Sequence, residues 1–141
     1  MDSTKFNLFI VLASAIITDK DKILLLLRSD KNKTFRSCWQ LPEGKLEKDE
    51  QAEDALLREI KEELGWKTKI NQLLTTSTTS FEFNQHQLNI LRIVFKISHQ
   101  GKISLSEDHS QLALFTIKEA VNLPNLVPGL KEILIKIEPE L

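Results

Sequence analysis

Tyrosine is missing from this chain of 141 residues, and cysteine and methionine occur once each. The lone Cys38 excludes a disulfide framework and a cysteine-based zinc site, and suits a reducing cytoplasm. With four glycines and four prolines there is no linker-like or low-complexity tract, and no internal repeat divides the chain. Net charge is nearly absent too. Nineteen Lys+Arg meet 20 Asp+Glu, which leaves no global basic field to hold nucleic acid. No apolar run approaches the roughly 20 residues of a membrane span. The run from Phe6 to Ile17 imitates a secretion signal, with Ala13-Ser14-Ala15 as its small-residue site. Met1 to Lys5 carries one Asp and one Lys, so the positive region such a signal needs is lacking. At 41% hydrophobic, the chain can bury a core and reads as one soluble cytoplasmic domain, 1–141.

Periodicity orders what is present. Segments 7–18 and 22–28, rich in Ile, Val and Leu, predict two strands around Asp19-Lys20-Asp21-Lys22, a β-hairpin. Trp39-Gln40-Leu41 predicts a short strand ended by Pro42 and Gly44. Asp49 and Glu50 start a helix to Leu64, with Gly65 as its left-handed stop. Further strands are expected over 67–83, 88–98 and 112–117, a helical turn over 118–122, and a last amphipathic helix over 128–138. Strands of mixed order with two or three helices imply an α/β (α+β) fold.

Charge is unevenly placed. Between Glu43 and Glu63 nine acids face four bases, a local charge of −5, while Lys20 to Arg36 carries +4. At about 100° per residue measured from Ala52, Glu59 and Glu63 fall near 340° and 20°. That is inside the stripe of Leu56, Ile60 and Leu64, with Glu62 beside it. Like charges packed partly against apolar surface repel, and a multivalent cation relieves them. Carboxylate oxygens without His or Cys partners favour Mg²⁺ or Mn²⁺. A merely charged helix face is the other reading.

The spacing Gly44-x5-Glu50-x7-Arg58-Glu59-Ile60-x-Glu62-Glu63-x-Gly65 resembles the Nudix box at every fixed position. Seven fixed residues of ordinary usage recur by chance in about one chain in a million, so coincidence is set aside. Trp39-Gln40-Leu41-Pro42 precedes the box as in many members. Two residues depart from the pattern. Glu43 stands where a second Gly is common, and Trp66 where an aliphatic is usual.

The resemblance implies an α/β/α sandwich with a mixed β-sheet, and a hydrolase of nucleoside diphosphates linked to another moiety. Water attacks phosphorus in this family, with Mg²⁺ or Mn²⁺ as cofactor. It implies that Glu59, Glu62 and Glu63 hold the metal with a carbonyl around Gly44, supported by Arg58 and Glu50. The general base stays open between Glu59 and a later loop, where Asp108 of Glu107-Asp108-His109 is the candidate. Arg28 stands where relatives meet substrate. Trp39, Phe81 and Phe83 are candidates to stack on a base, although core packing is the commoner fate of such rings. His86 and His99 read as surface residues and Cys38 as inert.

Within the family the MutT-like triphosphate branch fits best, with a (d)NTP split to NMP and pyrophosphate. Ser80 occupies the place where relatives acting on ADP-ribose often carry Pro, and no Tyr marks a dinucleoside polyphosphate hydrolase. Those two substrate classes are the alternatives. A non-catalytic nucleotide-sensing or protein-binding module is the alternative of another class, and the intact Glu set argues against it. The expected partner is a small nucleotide, not nucleic acid or membrane, with a homodimer left open.

Overall fold

The computed structural model describes residues 7–98 and 111–141; Asp108, its neighbours Glu107 and His109, and His99 lie outside them. The first apolar run forms a single strand, β1 (Asn7–Asp19), buried on both faces over its second half. Ala13, Ala15 and Ile17 enter one core and Ile16 the other. A strand buried on both sides needs covers above and below, and that requirement sets the architecture.

β1 runs parallel to β6 (His86–Ser98), from Asn7 opposite Gln87 to Ile17 opposite Ile97. β5 (Lys69–Phe83) flanks β6 on its other side, antiparallel. Asn84 and Gln85, both at positive φ (51° and 66°), make the tight turn between them. Against β1 lies β4 (Glu43–Lys45), three residues paired as Ser14–Glu43, Ala13–Gly44 and Leu12–Lys45. The predicted hairpin of β1 with β2 (Lys22–Leu27) is only two pairs long, Thr18–Ile23 and Asp19–Lys22. From there β2 diverges to pair with β3 (Trp39–Gln40) and with β7 (Gln111–Thr116), all antiparallel. The sheet is therefore mixed, as expected.

Helix α1 (Ala52–Leu64) lays Ala55, Leu56, Ile60 and Leu64 on Ala13, Ala15, Ile17, Leu24 and Phe95. On the opposite face, α3 (Leu130–Ile137) packs Leu130, Ile133, Leu134 and Ile137 on Ile16, Leu25, Leu41 and Val94. The five-residue α2 (Ile117–Val121) adds Ile117 and Ala120, and a Thr116–Glu119 capping box starts it. A helix–sheet–helix sandwich results. No helix of the described residues is long and apolar enough to cross a membrane.

Among the boundaries that differ from expectation, three have a local reason. Helix α1 begins at Ala52 rather than Asp49, because Asp49 adopts φ 62°, outside any right-handed helix. Gly44 does not end a strand; it lies inside β4, whose partners are about thirty residues upstream in sequence. Helix α3 begins at Leu130 because Gly129 takes φ 86° and sits on Thr79. A Cβ added there would lie 2.1 Å from Thr79 Oγ1.

Candidate active site

The Nudix-like residues are drawn together by one helix, one turn and one short strand. The turn before α1 is closed by Glu50, whose N–H donates to the Glu47 carbonyl and whose Oε1 accepts from the Glu47 N–H. That fold-back aims the Glu50 carboxylate at Arg58. Arg58 Nε donates to Glu50 Oε2 at 2.9 Å and Nη2 to Oε1 at 3.1 Å, a two-pronged pairing. Its Nη1 reaches Glu59 Oε1 at 3.0 Å and Glu62 Oε2 at 3.5 Å, and Nη2 also meets the Lys45 carbonyl at 3.4 Å. One guanidinium thus ties the turn, β4 and two helix carboxylates. The pairing holds Glu50 below the ordinary carboxylate range, chiefly through Arg58 and then through the Glu47 N–H. Arg58 is correspondingly held protonated. Gly65, at φ 72°, ends the helix and donates its N–H to Lys61.

Gly44 is buried under Glu59. A Cβ on Gly44 would stand 2.0 Å from Glu59 Cγ and 2.9 Å from its Cβ, so only glycine lets strand and helix meet this closely. One turn further along α1, Glu63 is half-buried like Glu59, while Glu62 is 60% exposed. Burial first, then the charge and hydrogen bond of Glu59, push Glu63 up to about 8, with Glu43 and Glu62 adding repulsion. Glu63 Oε2 is buried with no hydrogen-bond partner. A desolvated, orphaned carboxylate oxygen among three further acids is what a hard cation would satisfy. The donor set therefore fits Mg²⁺ or Mn²⁺. The carboxylates do not form a closed cage: among the described residues no three acids, His or Cys converge as a ligand set. Arg58 supplies the countercharge to Glu59 and Glu62 in this arrangement.

The other candidates are dispersed. Arg28, just past β2, donates through Nε and Nη2 to Thr34 and through Nη1 to Gln40 Oε1 at 2.7 Å. Its guanidinium shapes the loop of residues 29–38. Trp39 is buried in the α3-side core, edge-on to Phe115 at 5.1 Å, and follows the packing alternative. Phe83 is exposed beside the β5–β6 turn. Phe81 meets Phe35 of the 29–38 loop, ring centres 5.2 Å apart. Cys38 is half-buried against the α3-side core.

Sequence reading missed a buried polar line behind the site. Arg92 of β6 is paired with Glu43, which also accepts from Ser14 Oγ at 2.7 Å. In sequence, Arg92 is one charge in an apolar strand, and its partner lies 49 residues away. Only Glu43's departure from the usual glycine hinted at it. Phe35 was missed as well.

The helix–sheet–helix sandwich thus brings Glu59, Glu62 and Glu63 of α1, with Arg58, against the single glycine of β4. The NUDIX domain family model matches residues 9–137, and the chain belongs to that family, whose activity is hydrolysis of phosphoanhydride bonds in nucleoside diphosphate derivatives. It is similar to an ADP-ribose pyrophosphatase of Methanocaldococcus jannaschii, 34% identical over 128 residues, 89% of this chain and 72% of that one. An 8-oxo-dGTP diphosphatase of Proteus vulgaris is 29% identical over 90 residues, 64% of this chain and 75% of that one. The crystal structure of the MutT protein from Methanosarcina mazei Go1 superposes with a TM-score of 0.79 at 24% identity. That match covers 95% of this chain and 96% of the other, and it shows the fold.

Proposed function

We propose that the chain acts as one Nudix domain that splits a nucleoside triphosphate to the monophosphate and pyrophosphate with Mg²⁺. The observation that carries the reading is Glu63, buried with an unpartnered oxygen beside Glu59, which itself packs on Gly44. Glu59, Glu62 and Glu63 would hold the cation together with the Gly44 backbone. Bound there, the cation supplies neutralisation of the polyphosphate's negative charge. Arg58 orients Glu59 and Glu62, and Glu50 fixes Arg58. Water adds to phosphorus, the anhydride P–O bond breaks, and the water's proton passes to a carboxylate, with Glu59 and Asp108 as the two candidates.

Ser80 supports the triphosphate. It lies inside β5, its Oγ donating to Asn89 Oδ1, at the place where relatives acting on ADP-ribose often carry Pro. The similarity to the M. jannaschii protein named ADP-ribose pyrophosphatase, spanning 89% of this chain, favours a nucleotide-sugar as the second reading. The Asn that reads an oxidised guanine in one branch of the family is expected near 123–128, where Val127 aligns better than Asn125, and Asn125 donates its Nδ2 to the Ser37 carbonyl. Losing one paired hydrogen bond to a base is worth about 0.5–1.5 kcal/mol, so selection for an oxidised base should stay near tenfold or below. The test is kcat/KM for canonical and oxidised triphosphates, ADP-ribose and diadenosine polyphosphates at one Mg²⁺ concentration. A triphosphate should lead. ADP-ribose or a dinucleotide ahead by about tenfold overturns the substrate while leaving the cation site intact.

A further inference from the structure

Arg92 is the one charged residue among those described that is fully buried, 3% exposed in the middle of β6. Its Nε donates to Glu43 Oε2 at 3.1 Å and its Nη1 to the Pro128 carbonyl at 2.9 Å. Glu43 is nearly as enclosed, with 8% of its side chain exposed, and its Oε2 also takes the Ser14 hydroxyl. A buried pair of this kind is a poor source of stability, because removing two charges from water costs about what their attraction returns. What it provides is a fixed geometry.

That geometry bears on the next residue. Strand β4 has three residues and three partners on β1, extended by one backbone hydrogen bond at each end, Ala15 N–H to Pro42 and Leu46 N–H to Val11. That is still a short ladder to hold it rigidly by pairing alone. Glu43 pins its first residue, and Gly44 follows, in contact with Glu59. Any shift of β4 is therefore transmitted to Glu59. At the other end, Pro128 leads into α3, and the segment before it is bonded to Trp39. Trp39 N–H donates to Asn125 at 2.8 Å, and Val127 N–H donates back to Trp39 at 3.0 Å. A continuous line runs from the Trp39–Val127 strap through Arg92 and Glu43 to Gly44 and Glu59.

We propose that Arg92 is a positioning residue that fixes β4 against Glu59 and so sets the cation affinity of a carboxylate set it does not touch. The inference rests on the reading of Glu59, Glu62 and Glu63 as cation ligands. A purely structural ion pair would be replaceable by neutral residues of similar volume with no more consequence for the cation than the loss of Glu43's charge near Glu63. Arg92→Lys, which keeps that charge, would then leave the affinity unchanged. A positioning pair would not be replaceable in this way, because methionine cannot bond both Glu43 and the Pro128 carbonyl.

The experiment is Mn²⁺ titration of the full chain by electron paramagnetic resonance, with a thermal melt of each sample. The proteins are the wild type, Arg92→Lys, the Glu43→Gln/Arg92→Met double variant and Glu62→Gln. Both Arg92 variants should melt cooperatively yet bind Mn²⁺ about tenfold or more weakly, as expected for support behind a ligand. Glu62→Gln should also weaken binding. Unchanged affinity in the Arg92 variants, with Glu62→Gln weakened, overturns the positioning role alone. Unchanged affinity in Glu62→Gln overturns the ligand reading and the inference with it. Should the double variant fail to fold, Arg92→Lys, which keeps the charge, decides.

Discussion

Arg58 and Glu63, five residues apart on α1, carry opposite electrostatic problems. Arg58 is surrounded by acids and bonded to Glu50 on two prongs, so its planar fork matters as much as its charge. Arg58→Lys keeps the charge and loses the fork; turnover should fall by about tenfold to a hundredfold with a small change in melting temperature. Steady-state rates beside a thermal melt check this. Glu63 is desolvated and repelled, with its folded value near 8 above the ordinary 4.5. In that window the metal-free native protein keeps a proton that the unfolded chain has released. The associated stability is full below pH 4.5 and is lost as pH rises toward 8. The melting temperature of metal-free protein should therefore fall across the window, and Glu63→Gln should flatten the fall. Glu50 and Glu119 are pulled the other way and act only in acid below it. A wild-type melting temperature that rises with pH across the window would contradict the burial of Glu63.

The element that decides the site is the three-residue strand β4, and the contact that decides it is Gly44 on Glu59. Gly44→Ala places a methyl within the volume of Glu59 Cγ and against its Cβ, so the carboxylate must swing away. Overpacking of this kind costs about 1–3 kcal/mol, while the carboxylate loses its place altogether. Turnover should therefore fall far more than stability, which paired kinetic and denaturant measurements resolve. Legibility from sequence divides along the same line. Helix α1 and its Gly65 stop were readable because capping, periodicity and the acidic spacing are all local. The same 3.6-residue period put Glu59 and Glu63 inside the stripe of Leu56, Ile60 and Leu64, and the structure leaves both half-buried beside those buried residues. Strand β4 was not readable, because three residues carry no period and its pairing with β1 is long-range. The early helix start had a similar cause: Asp49 and Glu50 look like an N-terminus until the positive φ of Asp49 turns them into a loop. Arg92 with Glu43 was invisible for want of any local signal that a strand charge is buried.

At the scale of the whole molecule, the two cores make a rigid frame and leave the chemistry to one edge of it. The α1-side core holds the acidic helix against β1, and the α3-side core holds Trp39 and the turn at Val127. A covalent route finds no support in this frame. Ser14 is fully buried and bonded to Glu43, and Cys38 packs against the α3-side core. Hydrolysis in ¹⁸O-water should accordingly label one phosphate product only, read by mass spectrometry, and a trapped phosphorylated or nucleotidylated enzyme would contradict direct attack.

The proposed chemistry depends on the carboxylates of α1. Its most direct test is the Mg²⁺-dependent hydrolysis rate of Glu62→Gln and Glu63→Gln beside the wild type, each protein first shown to be folded by its thermal melt. The carboxylate reading predicts that Mg²⁺-dependent turnover is abolished in both variants. It also predicts metal-free melting temperatures equal to or above the wild type, since Glu62→Gln removes a charge that repels Glu63 and Glu63→Gln removes a carboxyl that folding forces to stay protonated. Near-wild-type turnover in both would contradict it.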